Sequence, residues 1–198
     1  MAVFVTVLLP TVLVFWLVIH GAISLWRRTG VIVAYTVASV AMLTVGVFCW
    51  QFRSTLVGDD LGLNLLLGGI GVAVYLIMLF ASRQVRRHLN LRTFAGIVEI
   101  ENERSGLILE GPYRFVRHPR YFLVLCGILG WCFITNFTGT YWLGLASALG
   151  FYLIASLEER ELVSRFGEAY SSYQMRVPKL VPHPSNFGRV FLHQPNRT

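Results

Sequence analysis

Four stretches of the chain contain no Asp, Glu, Lys or Arg: residues 1–26, 31–52, 61–82 and 121–157. Backbone in hydrocarbon must satisfy its own hydrogen bonds, which for isolated apolar runs means a helix. Crossing the hydrocarbon core takes about 20 residues, so each of the first three runs predicts one spanning helix. The fourth has 37 residues, and as a single helix it would measure about 55 Å, too long for one crossing. It must turn. "TNFTGT" (Thr135–Thr140) is its one polar, glycine-containing break, which predicts a tight hairpin there. The first arm of that hairpin falls short of a full span unless Pro119 opens it.

The whole composition agrees with this reading. Of the residues, 55% are hydrophobic and 14% charged, and the mean hydropathy is +0.61, which excludes an ordinary soluble domain. The first run lacks a basic leader and is longer than a cleaved signal core, so we read it as a retained span. With five spans and the N-terminus outside, 16 of the 17 Lys and Arg residues fall on one side and only Arg53 on the other. That is the asymmetry of a chain whose basic face is cytoplasmic. The net charge of +7 then suits topology and anionic lipid rather than nucleic acid. Cys49, Cys126 and Cys132 all lie in apolar runs, and an odd, buried set gives neither a disulfide framework nor metal-ligand spacing.

Two polar segments remain on the basic side, 83–120 and the tail from Glu158. We divide the chain accordingly into three N-terminal membrane helices (1–82) and a core of cofactor segment, hairpin and tail (83–198). In the tail, Leu162, Phe166, Tyr170 and Tyr173 follow an i, i+4, i+8, i+11 stripe, which predicts an amphipathic helix on the lipid surface, weakened at Gly167 and ended by Pro178. Glu158 and Glu159 are the first acids after 47 residues without one, at the point where a membrane helix leaves the apolar core. Acids there need a cation. Either the arginines of "RFVRHPR" (Arg114–Arg120) supply it, tying the tail to the preceding segment, or a cationic ligand does. His118 alone, without a second His or Cys at ligand spacing, predicts no metal site, and no phosphate-binding glycine motif is present.

Taken together, "LEGPYRFVRHPRY", a hydrophobic hairpin and "EERELVSRFGEAYSSYQMRVPKLVP" resemble the isoprenylcysteine carboxyl methyltransferase family, related to the phospholipid methyltransferases, over about residues 107–182. The resemblance implies an all-α integral membrane enzyme with about five transmembrane helices. It also implies S-adenosylmethionine as methyl donor, bound on the cytoplasmic side by Gly111, Tyr113, Arg117, His118, Pro119, Tyr121, Glu158 and Glu159. His118 and Tyr121 would close over the cofactor, and the helix break at Pro119 would expose backbone groups to it. The acceptor implied is lipid-like, foremost a prenylated cysteine carboxylate, which Arg176 would hold bidentately. Leu123 stands where the family has a small glycine, implying a differently shaped pocket beside the hairpin. A phospholipid amine is the alternative acceptor, and a lipid-binding scaffold is the non-enzymatic alternative.

Overall fold

The computed structural model describes residues 2–86, 97–101 and 106–186. Helix α1 (Ala2–Gly21) is followed by a short α2 (Ile23–Thr29), then α3 (Val31–Gln51), a one-turn α4 (Arg53–Val57) and α5 (Leu65–Arg86). A single turn, α6 (Ile97–Ile100), lies between the two gaps in the described residues. After a 3₁₀ turn at Gly111–Arg114 come α7 (Pro119–Thr135), α8 (Thr138–Phe166) and α9 (Glu168–Arg176). The only β pairing among the described residues is an isolated bridge between Asp60 and Phe137.

Among the described residues four helices are long and apolar enough to cross a membrane: α1, α3, α5 and α8. The fifth expected span is the shorter α7, of 17 residues. Its length follows from its first residue. Pro119 occupies the first helical turn, where its missing N–H is no loss, so the helix cannot start earlier than His118 as its cap. The resulting rod is about 25 Å long, somewhat less than the hydrocarbon core. Among the described residues the chain is thus an all-helical, multi-pass membrane protein.

The expected hairpin is present. Asn136 takes the left-handed conformation at φ 52°, which Asn tolerates better than most residues. Its side chain donates to the Gly62 carbonyl at 2.8 Å and accepts from the Tyr141 hydroxyl at 2.9 Å. The turn therefore docks on the loop between α4 and α5.

Packing is organised around α7, which lies between α5 and α8. With lipid outside, close approach rather than hydrophobicity drives helix pairing, and small residues permit it. At the α5–α7 crossing Gly71 faces Gly130, and a Cβ on Gly71 would stand 2.6 Å from the Gly130 carbonyl oxygen. Leu123, in place of the family glycine, is buried among Ala81, Val85 and Val116 on this same side. On the other face of α7, Tyr121 and Ile128 pack with Phe151 and Ile154 of α8, with Val5 and Leu9 of α1, and with Leu180 of the tail. The tail is part of the core.

Candidate functional site

A cleft of about 780 Å³, its open mouth included, lies where the start of α7, the end of α8 and α9 meet. Three features build it. The first is the segment before α7, whose backbone runs beside the tail: Arg117 N–H donates to the Pro178 carbonyl at 2.9 Å, and His118 N–H to the Lys179 carbonyl at 3.0 Å. The break at Pro119 thus leaves these two N–H groups bonded to the tail rather than exposed to a ligand. The second is the length of α8, whose 29 residues exceed a membrane crossing and carry its last turns into the polar zone. The third is Gly167, at φ 55°, a conformation glycine adopts without strain. There α8 gives way to α9, and Tyr170 and Tyr173 turn inward instead of lying on lipid, 2% and 5% exposed.

Adjacent residues on a helix point about 100° apart, and this separates the two acids. Glu158 faces the cleft with Leu162 and Phe166, its neighbours at i+4 and i+8. The Tyr121 hydroxyl donates to Glu158 Oε2 at 2.8 Å, and His118 Nδ1 lies 3.5 Å from the same oxygen. Glu159 points the other way and does not line the cleft. Its Oε1 accepts from Arg117 Nε at 2.6 Å and lies 3.3 Å from His118 Nε2, while its Oε2 is 3.1 Å from Lys179 Nζ. Arg117 also donates through Nη1 to the carbonyls of Gln174 and Val177, at 2.6 and 2.7 Å. The arginine source of positive charge foreseen for the acids is therefore in play at Glu159, which ties the tail to the α7 segment, while Glu158 faces the cleft.

His118 sits between the two carboxylates with its ring stacked on Tyr121, centroids 5.5 Å apart. Burial works against its charge, but the hydrogen bonds and charges of Glu158 and Glu159 outweigh it and raise its pKa above the ordinary 6.5. Burial also raises the phenol pKa values of Tyr113, Tyr170 and Tyr173, so these stay neutral donors. The Tyr173 hydroxyl donates to the Tyr113 carbonyl at 2.6 Å, bracing the wall formed by Tyr113.

Of the residues expected at the site, Tyr113, Arg117, His118, Pro119, Tyr121 and Glu158 line the cleft. Gly111 is buried behind it at the opening of the 3₁₀ turn. Arg176 stands apart: it is exposed, and its Nε donates back to the Ser172 carbonyl of its own helix at 3.1 Å. Sequence reasoning missed Leu162, Arg165, Phe166, Tyr170 and Tyr173 as cleft residues, assigning the apolar stripe to lipid. One signal was there to read, since Glu158 is four residues before Leu162 and so begins the same stripe. Leu107 and Ile108, which close the opposite wall, carry no pattern that would mark them. The described residues contain no group of three or more metal-ligating side chains.

The cleft joins one acid, Glu158, with Arg117, Arg120, Arg165, His118, several tyrosines and apolar walls. Comparison with known proteins gives the family. The chain is 30% identical over 151 residues to a methanethiol S-methyltransferase of Crocosphaera subtropica, covering 70% of this chain and 52% of that one. It is 32% identical over 158 residues to the methanethiol S-methyltransferase of Pseudomonas deceptionensis, covering 75% and 58%. A protein-S-isoprenylcysteine O-methyltransferase of Schizosaccharomyces pombe is 32% identical over 93 residues, covering 46% and 39%. The chain spans about half the length of these curated relatives. No solved structure matches. The family model described as phospholipid methyltransferase matches residues 64–169, which hold α5, α7, α8 and all of the cleft lining but Tyr170 and Tyr173. The chain belongs to the phospholipid methyltransferase family.

Proposed function

We propose that the protein is a membrane methyltransferase that binds S-adenosylmethionine in the cleft and passes its methyl group to an apolar acceptor arriving from the bilayer. The observation that carries this reading is Glu158, the one carboxylate that lines the cleft, set among Tyr113, Tyr121, Phe166 and Tyr170. A carboxylate beside aromatic faces favours a cation. The methyl donor supplies an electrophilic carbon on a sulfonium. The protein's part is to hold that donor and an acceptor in line and dry: Tyr121 orients Glu158, His118 supports Tyr121 by stacking, and the tail strap from Val177 to Leu180 keeps the wall closed. Alignment in a water-poor cleft is enough to speed such a transfer, with no covalent intermediate on the protein. The side occupied by Arg27, Arg28 and the basic tail is the cytoplasmic one on this reading.

A prenylated cysteine carboxylate remains an acceptor to test, and Arg176, exposed and outside the cleft lining, is its proposed clamp only if the acceptor docks on that outer face. Calorimetric titration with S-adenosylmethionine, which carries the sulfonium charge, tests the assignment. Glu158→Gln removes a charge without volume, and the loss of one charge-assisted hydrogen bond weakens cofactor binding by about 1.5–3 kcal/mol. Wild-type affinity in this variant would remove the cleft as the cofactor site.

A further inference from the structure

Along the face of α8 that lines the cleft, three chemistries follow in order: the acid Glu158, the apolar Leu162 one turn later, and Arg165 with Phe166 at the outer end. Glu158 and Arg165 are seven residues apart, which puts them on one face of the helix and about 10 Å apart along its axis. The Arg165 guanidinium lies over the Phe166 ring, 5.4 Å from the centroid. That stack keeps the charge at the outer end and away from Glu158. Leu107 and Ile108 add apolar wall to the same cleft.

The other charges of the cleft gather at its inner end. Arg117 pairs with Glu159, and His118 lies between Glu158 and Glu159. Arg120 donates to the Tyr121 hydroxyl at 3.1 Å, which in turn donates to Glu158. The amino-acid end of a methyl donor bears an ammonium and a carboxylate on one carbon, and it meets both signs of charge there. The donor's other end is an uncharged base, for which Tyr113, Tyr170 and Tyr173 line the cleft. Arg165 serves neither end. The acids nearest to it in sequence lie outside the cleft lining: Glu161 is tied to Arg27, and Glu168 is exposed beyond Gly167.

Resting on the methyltransferase reading, we propose that the acceptor lies along Leu162 and carries an anionic group, a carboxylate or a phosphate, that Arg165 receives at the outer end of the cleft. The atom to be methylated then points inward, towards Glu158, and the stretch between the two ends is the apolar one that Leu162, Leu107 and Ile108 can cover. An arginine fits this task because its planar fork of donors matches either anion, and a ring beneath the guanidinium orients it before the ligand arrives. A cationic head group is repelled at the same place. Carboxylate and phosphate share this chemistry, so the probes must tell them apart.

The test titrates octanoate, octyl phosphate and the neutral octanamide calorimetrically into the full chain in detergent, already loaded with labelled S-adenosylmethionine. In wild type at least one of the two anions should bind about 10-fold or more tighter than octanamide, with the label still bound, and the tighter of the two names the acceptor's anion. Arg165→Gln should erase that preference, Arg165→Glu should reverse it, and Arg165→Lys, which keeps the charge but not the fork, should retain part of it. Arg160→Gln, at an exposed position outside the cleft lining, should keep the full preference, and melting temperatures report that each variant is folded. Equal binding of anions and amide in wild type, an unaltered preference in Arg165→Gln, or release of the label by octanoate would overturn the inference, the last by assigning Arg165 to the donor. Failure of the wild type to bind S-adenosylmethionine would instead bring down the methyltransferase reading and this one with it.

Discussion

Glu159→Gln separates the fold from the site. In the native chain this carboxylate faces three cationic side chains, with Arg117 Nε at 2.6 Å, Lys179 Nζ at 3.1 Å and His118 Nε2 at 3.3 Å. Its side chain is 7% exposed and that of Arg117 10%, so solvent offers little compensation. Glutamine has the same shape but no charge, and it presents one of its two ends as a donor to groups that can only donate. Removing one partner of a buried ion pair costs about 3–5 kcal/mol, because the remaining charge is stranded. In a chain of this size each kcal/mol moves the melting temperature by about 2–4 °C, so the expected fall is ~6–20 °C. A thermal-shift assay in detergent, reporting on Cys49, Cys126 and Cys132 as they become accessible, measures it. The same substitution at Glu158 should cost far less stability, since that acid is braced by one tyrosine hydroxyl and His118. Equal melting temperatures for Glu159→Gln and wild type, or a larger fall in Glu158→Gln, would refute the division of labour between the two acids.

Two further outcomes follow from the geometry. The raised pKa of His118 means that its charged form is stabilised by folding, so that stability is fully present below its ordinary value of 6.5 and is lost as pH rises through the higher folded value. Melting curves taken from pH 6 upward should show that decline, and His118→Phe should flatten it. At the crossing of α5 and α7, Gly71→Leu places a side chain where even a Cβ would stand 2.6 Å from the Gly130 carbonyl. Overpacking of this kind costs about 1–3 kcal/mol or more, and the same thermal assay reads it, whereas Gly68→Leu, with open space around it, should melt like wild type.

Hydropathy and charge run length were enough to read the membrane class, the positions of α1, α3, α5 and α8 and the hairpin between α7 and α8, because a bilayer rewards those features residue by residue. The motif around Arg117, His118, Pro119 and Tyr121 likewise marked the cleft segment, and Glu158 was visible as an acid at a costly depth. What the linear order left open was which way each side chain faces. Leu162, Phe166, Tyr170 and Tyr173 form an apolar stripe that suits lipid and a protein wall equally well, and only the reversal at Gly167 turned the two tyrosines inward. Glu158 and Glu159 are indistinguishable in sequence. They took different tasks because one residue of helical rotation aims one at Tyr121 and the other at Arg117 and Lys179. His20 and Arg120, a hundred residues apart, became neighbours through the Trp16 ring alone. Such pairings depend on how α1, α7 and α8 pack together, and packing between helices in lipid follows from shape at close range, which no local pattern encodes.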